Sequence, residues 1–301
     1  MFHHLLVPLD GSHLSESILP IAARVARREN ASLTLVHVVE KHAPAEKHQD
    51  RHLVTPGEAE SYLAETARLP LLEGLRVRTH VHEAEVRDVA RSIYEHTSEL
   101  APDLVVMSTH GMGGARRLLF GTIAQQVIAL GTTPVLLARP ESGGSTATGR
   151  EWTKIMAPID GDPTHEKALP VAAELARTFS CTLHLLMVTP KVGHLSGSEH
   201  AASTLLPGAT RIKLEMDSAA AAAYVAARAS EMAASGVKTS SEAARGEPWR
   251  AIVRTARKMA ADVVVMATHG RAGTQAFYEG SVAAQVVNRS RIPLLLVPLR
   301  D

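Results

Sequence analysis

The 301-residue chain carries 32 Lys and Arg against 31 Asp and Glu, a formal net charge of +1, so no charge excess points to a nucleic acid or an anionic membrane surface. Aromatics make up 3% of residues, too few for a base-stacking platform, whereas the 45% hydrophobic content suffices for sizeable cores. With one cysteine, Cys181, no internal disulfide is available, and no apolar run approaches the ~18 residues of a membrane span. The opening "MFHHLLVPLD" lacks a charged start and a cleavage site. The expectation is a cytoplasmic protein without a signal peptide and without a membrane partner.

In chain order, the elements alternate. The apolar run at 3–9 ends in "PLDG" and reads as a strand. Residues 12–30 follow with apolar side chains at helical spacing (Ile18, Ile21, Ala22, Val25) and a Ser start signal. "SLTLVHVV" is a strand, 57–73 an amphipathic helix, "LRVRTHVHEA" a strand and 86–100 a helix. "DLVVMS" is a buried strand, "TIAQQVIAL" a helix and "PVLLA" the last strand of this half. The Gly-, Ser- and Thr-rich stretch 139–150 then reads as a linker.

The whole order then recurs. "LLVPLDG" returns as "IMAPIDG" and "LVHVV" as "LLMVT", both at an offset of 150. "APDLVVMSTHG" returns as "AADVVVMATHG", identical at eight of eleven positions, at an offset of 159. "TPVLLA" returns as "IPLLLV" at the same offset, so nine residues are added after Val188 and before this loop. The Ala-rich segment 217–235 is a strong helix former. A period this long means duplicated domains: 1–140, a linker at 141–150, and 151–301. Continuous apolar strands alternating with helices predict an α/β fold in which a doubly wound parallel sheet is covered on both faces.

Ligands of such sheets bind beyond the carboxyl ends of the strands, where the winding reverses. With strand order 3-2-1-4-5, Asp10, Val38 and the segment from Ser108 to Gly111 converge on that rim. The loop ends in Gly121-Thr122, opening a helix whose N-terminal N–H groups and dipole suit an anion. Glycines there permit close backbone approach, and Thr122 adds a hydroxyl. The geometry suits a flat heterocycle with phosphates. Asp10 can accept from an exocyclic amine, and the Val38 backbone can read a base edge. Neither loop carries the Lys of a GxxxxGK[ST] phosphate loop, and after Gly111 and Gly113 the sixth position of a GxGxxG motif is Arg116.

The spacings Ser108-x2-Gly111-x9-Gly121-Thr122 and Ala267-x2-Gly270-x9-Gly280-Ser281 resemble the adenine-nucleotide loop of the universal stress protein family. The "PLDG" and "PIDG" turns and the "HVV" strand end match the same family, and the resemblance covers nearly the whole chain twice. It implies two Rossmann-like domains, each a five-stranded sheet of order 3-2-1-4-5, arranged as a pseudo-twofold intramolecular dimer through their last strands. A monomer of this kind, or a homodimer of it, follows. The resemblance also implies ATP, AMP or ADP, with or without Mg2+, in each half. The candidate nucleotide-binding residues are Leu9, Asp10, Val38, Met107, Ser108, His110, Gly111, Gly114, Arg117, Gly121 and Thr122 in the first half. In the second they are Ile159, Asp160, Val188, Met266, Ala267, His269, Gly270, Arg271, Gly280 and Ser281.

Family members that bind ATP often have Gly where Ser108 and Ala267 stand here; both residues are small. Arg116 and Arg117 suit phosphates, whereas Glu279 beside Gly280 opposes them. The first site is therefore expected to bind ATP at least as tightly as the second. Asp10 and Asp160 have a plainer reading as turn or helix caps. His110 and His269 read as loop hydrogen-bonding groups rather than bases. His80 and His82 share a strand face, and His42, His48 and His52 crowd one loop. Without acidic or Cys partners at regular spacing they read as solvated, and no metal site or catalytic residue is expected. The functional expectation is a stress-response protein that acts through nucleotide-dependent conformation and an unknown protein partner. The alternatives are a slow ATPase or nucleotidyl-transfer enzyme on the same fold, and a nucleotide-free scaffold.

Overall fold

A computed structural model describes residues 1–40, 46–47, 50–51, 53, 55–86, 88–109, 122–139, 151–191, 204–268 and 281–299. The chain forms two compact units. One runs through Met1–Glu151 and takes in Pro293–Asp301; the other runs through Trp152–Thr268 and takes in Gly280–Ile292.

The first unit alternates as its apolar pattern dictates. Strand β1 (His4–Pro8) leads through a short helix, α1 (His13–Glu16), into α2 (Leu19–Glu29) and β2 (Ser32–Glu40). A small antiparallel pair, β3 (Glu46–Lys47) and β4 (Asp50–Arg51), precedes α3 (Pro56–Ala67) and β5 (Arg76–Val86). Then come α4 (Val89–Glu99), β6 (Leu104–Ser108), α5 (Thr122–Leu130) and β7 (Val135–Ala138). The helix ends are set by local chemistry. Ser12, Thr55 and Asp88 each accept from a backbone N–H in the first turn of the following helix. Asn30 ends α2 in the left-handed region at φ 53°, a conformation Asn tolerates better than most side chains.

The strand order β5-β2-β1-β6-β7 is the expected 3-2-1-4-5, and each of these neighbours runs parallel. The central strands are apolar because both faces are covered: Leu5, Leu6, Val7, Leu33, Leu35 and Val106 are all at or near zero exposure. One further strand, β12 (Leu294–Pro298), belongs to this unit and pairs antiparallel with β7, Leu294 opposite Leu137 and Leu296 opposite Val135.

The second unit repeats the scheme with β8 (Lys154–Ile159), α6 (Ala168–Phe179), β9 (Thr182–Thr189), α7 (Pro207–Ala234), β10 (Thr239–Arg245), α8 (Pro248–Lys258), β11 (Val263–Thr268) and α9 (Val282–Arg289). Its strands run β10-β9-β8-β11, equivalent to 3-2-1-4. Ser180 ends α6 in the left-handed region at φ 55°, 150 residues after Asn30. Helix α7 has 28 residues where α3 has 12. No helix among the described residues is long and apolar enough to cross a membrane.

The two units anchor these unequal helices differently. In the second, Glu166 is 9% exposed and accepts from the Tyr224 hydroxyl, while Arg228 Nη2 lies 2.6 Å from its carboxylate. In the first, the equivalent Glu16 faces Tyr62 of α3. Burial, and then the Glu16 charge, push the Tyr62 phenol well above its usual range, so it stays neutral. The buried Tyr62 hydroxyl lies near the Glu16 carboxylate and Thr66 but outside regular hydrogen-bond geometry, so it gains less from its carboxylate than Tyr224 does from Glu166. A hydrogen bond to a charged group contributes about 1.5–3 kcal/mol, whereas a buried hydroxyl without one is a cost. Tyr224→Phe should therefore lower unfolding free energy by about 1–2 kcal/mol in a urea titration, whereas Tyr62→Phe should leave it unchanged or slightly higher.

Candidate functional site

The rim at the carboxyl ends of β1, β2 and β6 is assembled by register. Pro8 pairs with Val36, and two residues further along, Asp10 comes level with Val38. On the other side, Leu5 pairs with Leu104 and Leu6 with Val105, so the ends of β1 and β6 point to the same rim. Strand β1 thus has β2 on one side and β6 on the other, which is the switch point of a doubly wound sheet.

Backbone and side-chain bonds hold the turn that leaves β1. Leu9 N–H donates to Val36 O at 2.9 Å, and Leu9 O accepts from His37 Nδ1 at 2.8 Å. A carbonyl only accepts, so the His37 proton sits on Nδ1. His37 is 2% exposed and lies on β2, in the "HVV" match but outside the predicted set. Gly11 follows with φ 85°, a left-handed position that glycine occupies without strain. Asp10 Oδ1 accepts from Ser12 N (3.1 Å) and Ser12 Oγ (2.6 Å), and Asp10 N donates to Ser15 Oγ at 3.3 Å. The carboxylate therefore braces the turn. With about four lone-pair sites on two oxygens, bracing does not exhaust what it can accept.

The other first-half candidates follow from the strands. Val38, Met107 and Ser108 are buried, and Thr109 N donates to Ala138 O at 2.8 Å. Thr122 opens α5. His110, Gly111, Gly114, Arg117 and Gly121 lie outside the described residues.

The second half reproduces the register. Ile159 pairs with Met187 and Met156 with Val264, so the ends of β8, β9 and β11 point to one rim. Ile159 and Met266 are buried. Ser281 caps α9, accepting from Ala284 N at 3.2 Å. His269, Gly270, Arg271 and Gly280 lie outside the described residues.

The two turns differ in chemistry. Asp160 is exposed; its Oδ1 accepts from Asp162 N at 3.0 Å and its Oδ2 lies 2.6 Å from His165 Nδ1. The position of His37 is taken by Met187, 150 residues later, whose methyl lies 3.3 Å from where a Cβ on Gly161 would stand. The first turn is thus pinned by a buried imidazole and two serines, the second by an exposed Asp–His pair. Tyr62 was also missed. It lies close enough to Asp10 for that charge to add to the upward push on its phenol. Only its place in an amphipathic helix was visible in the sequence.

The chain resembles known proteins along nearly its whole length. The chain is 26% identical over 302 residues to a universal stress protein of Mycolicibacterium smegmatis, covering 97% of this chain and 96% of that one. It is 27% identical over 151 residues to the universal stress protein YxiE of Bacillus subtilis, covering 46% of this chain and all of the relative. Among solved structures, a universal stress protein from Archaeoglobus fulgidus superposes with a TM-score of 0.70 at 14% identity, over 99% of this chain and 97% of that one. The family model described as "Universal stress protein family" matches residues 1–139 and again 151–298, and the chain belongs to that family as a tandem member.

Proposed function

We propose that this chain binds an adenine nucleotide at the β1–β6 rim of its first half and at the equivalent rim of its second, within domains bounded at 1–140 and 151–301. The observation that carries the reading is the duplicated register. It pairs Pro8 with Val36 and Leu6 with Val105, then Ile159 with Met187 and Met156 with Val264, and so sends the turns bearing Asp10 and Asp160 to the same end of their sheets. From each rim the sequence runs through a glycine-bearing loop to a helix that begins at Thr122 or just after Ser281. Such helix N-termini favour phosphate. ATP is the nucleotide the loop pattern suits best, and Mg2+ would share its phosphate charge.

Nucleotide occupancy then shifts the conformation of the chain and so presents or hides a surface for a protein partner in the cytoplasm. This is a binding function in which the ligand shifts a conformational population. The first site is the tighter one. Its turn is braced by Ser12, Ser15 and the buried His37, whereas the second turn is held by exposed contacts of Asp160 with Asp162 and His165. Its loop carries Arg116 and Arg117, and the second carries Glu279.

Calorimetric titration with ATP is the direct test. Wild-type protein should take up two equivalents, and a Gly270→Val, Gly280→Val double variant should keep the tighter one. Loss of all binding in that variant overturns the ranking, and no binding by folded wild-type protein at millimolar ATP overturns the function. A multiple-turnover phosphate-release assay should give no signal above the buffer rate; steady turnover would favour the ATPase reading.

A further inference from the structure

On the edge strand of the first unit, β5, His80 and His82 project from one face, two residues apart. Helix α4 brings a third histidine and a carboxylate to the same place. His80 Nε2 and His96 Nε2 are 2.9 Å apart, and the ligand atoms of His80, His96 and Glu99 all lie within 4.8 Å of one another. The His82 ring centroid is 5.0 Å from that of His96. His96 and Glu99 are three residues apart, so both face the same side of α4. The acidic partner that the strand alone does not provide comes from a different element.

We propose that His80, His96 and Glu99 bind a borderline divalent transition-metal ion of the Zn2+ class, tying the edge strand β5 to helix α4, with His82 or water in the fourth position. Two histidines and one carboxylate are a donor set that zinc accepts tetrahedrally. Zn–N bonds of about 2.0–2.1 Å place two tetrahedral nitrogens about 3.3 Å apart, so the rings need to separate by only a few tenths of an ångström. His96 is already oriented. Its Nδ1 lies 2.7 Å from Ser92 O, and a carbonyl can only accept, so the proton is on Nδ1 and the Nε2 lone pair points at His80. That outer bond is the kind that orients metal-ligating histidines. Without an ion, His80 donates its Nε2 proton to His96; on metal binding this proton shifts to Nδ1 of the same ring.

The second half has no counterpart. Sheet register aligns Val36–His80 with Leu186–Glu242 and Val38–His82 with Val188–Ala244, and the helix offset of 159 puts Thr255 and Lys258 where His96 and Glu99 stand. The aligned positions of the second half thus lack this donor set among the described residues.

The test uses the untagged full-length chain, stripped with a chelator and titrated with Zn2+ against a chromophoric competitor near neutral pH. The expected result is one ion per chain. His80→Ala and Glu99→Gln should each weaken it at least ~tenfold, with unchanged far-ultraviolet circular dichroism, and His184→Ala should leave it unaltered. Co2+ substitution should give the visible bands of a tetrahedral nitrogen and oxygen site. No uptake by wild-type protein, or equal affinity in His80→Ala, overturns the proposal; so does an equal loss in His184→Ala.

Discussion

Everything at the candidate site depends on parallel pairing around β1. Parallel strands point all their carboxyl ends to one side, and a central strand flanked by β2 and β6 sends its exit turn into the gap between two diverging crossovers. The Leu9 N–H to Val36 O bond and the His37 contact to Leu9 O continue that pairing past the end of the strand. The turn bearing Asp10 is thereby a fixed extension of the sheet. A slip of one residue would turn every side chain of β1 over, and with Leu5, Leu6 and Val7 fully buried the close packing of both covered faces opposes it.

The duplication preserves that backbone while letting side chains diverge. Both halves keep the acidic residue after strand one, the left-handed glycine at φ 85°, and the left-handed residue closing the next helix. What changed is how each turn is supported. In the first half an imidazole and two hydroxyls do so in a half-buried setting; in the second an exposed Asp160–His165 hydrogen bond does so. The Glu–Tyr contact beneath the turns changed as well. Arg228 neutralises Glu166, whereas the first half leaves Glu16 facing a neutral phenol. Two sites of one ancestry thus have unequal polarity.

The histidine cluster shows how a doubly wound fold concentrates chemistry away from the rim. His80 and His82 of the edge strand β5 meet His96 of α4, a helix that packs on β2. His82 is also paired in register with Val38, so the cluster sits one strand away from the rim.

The sequence by itself determined the duplication, the strand–helix alternation and the order of apolar and polar segments. These are local periodicities, and close repetition made the PLDG and PIDG turns and the two glycine-spaced loops legible as paired features. It did not reveal His37 holding Leu9, Tyr62 facing Glu16, or His96 and Glu99 meeting His80. Each of these contacts joins different elements, and its formation depends on strand register and on the rotation of a helix about its axis. Those quantities are decided by how whole faces bury against one another, so only the tertiary structure could settle them.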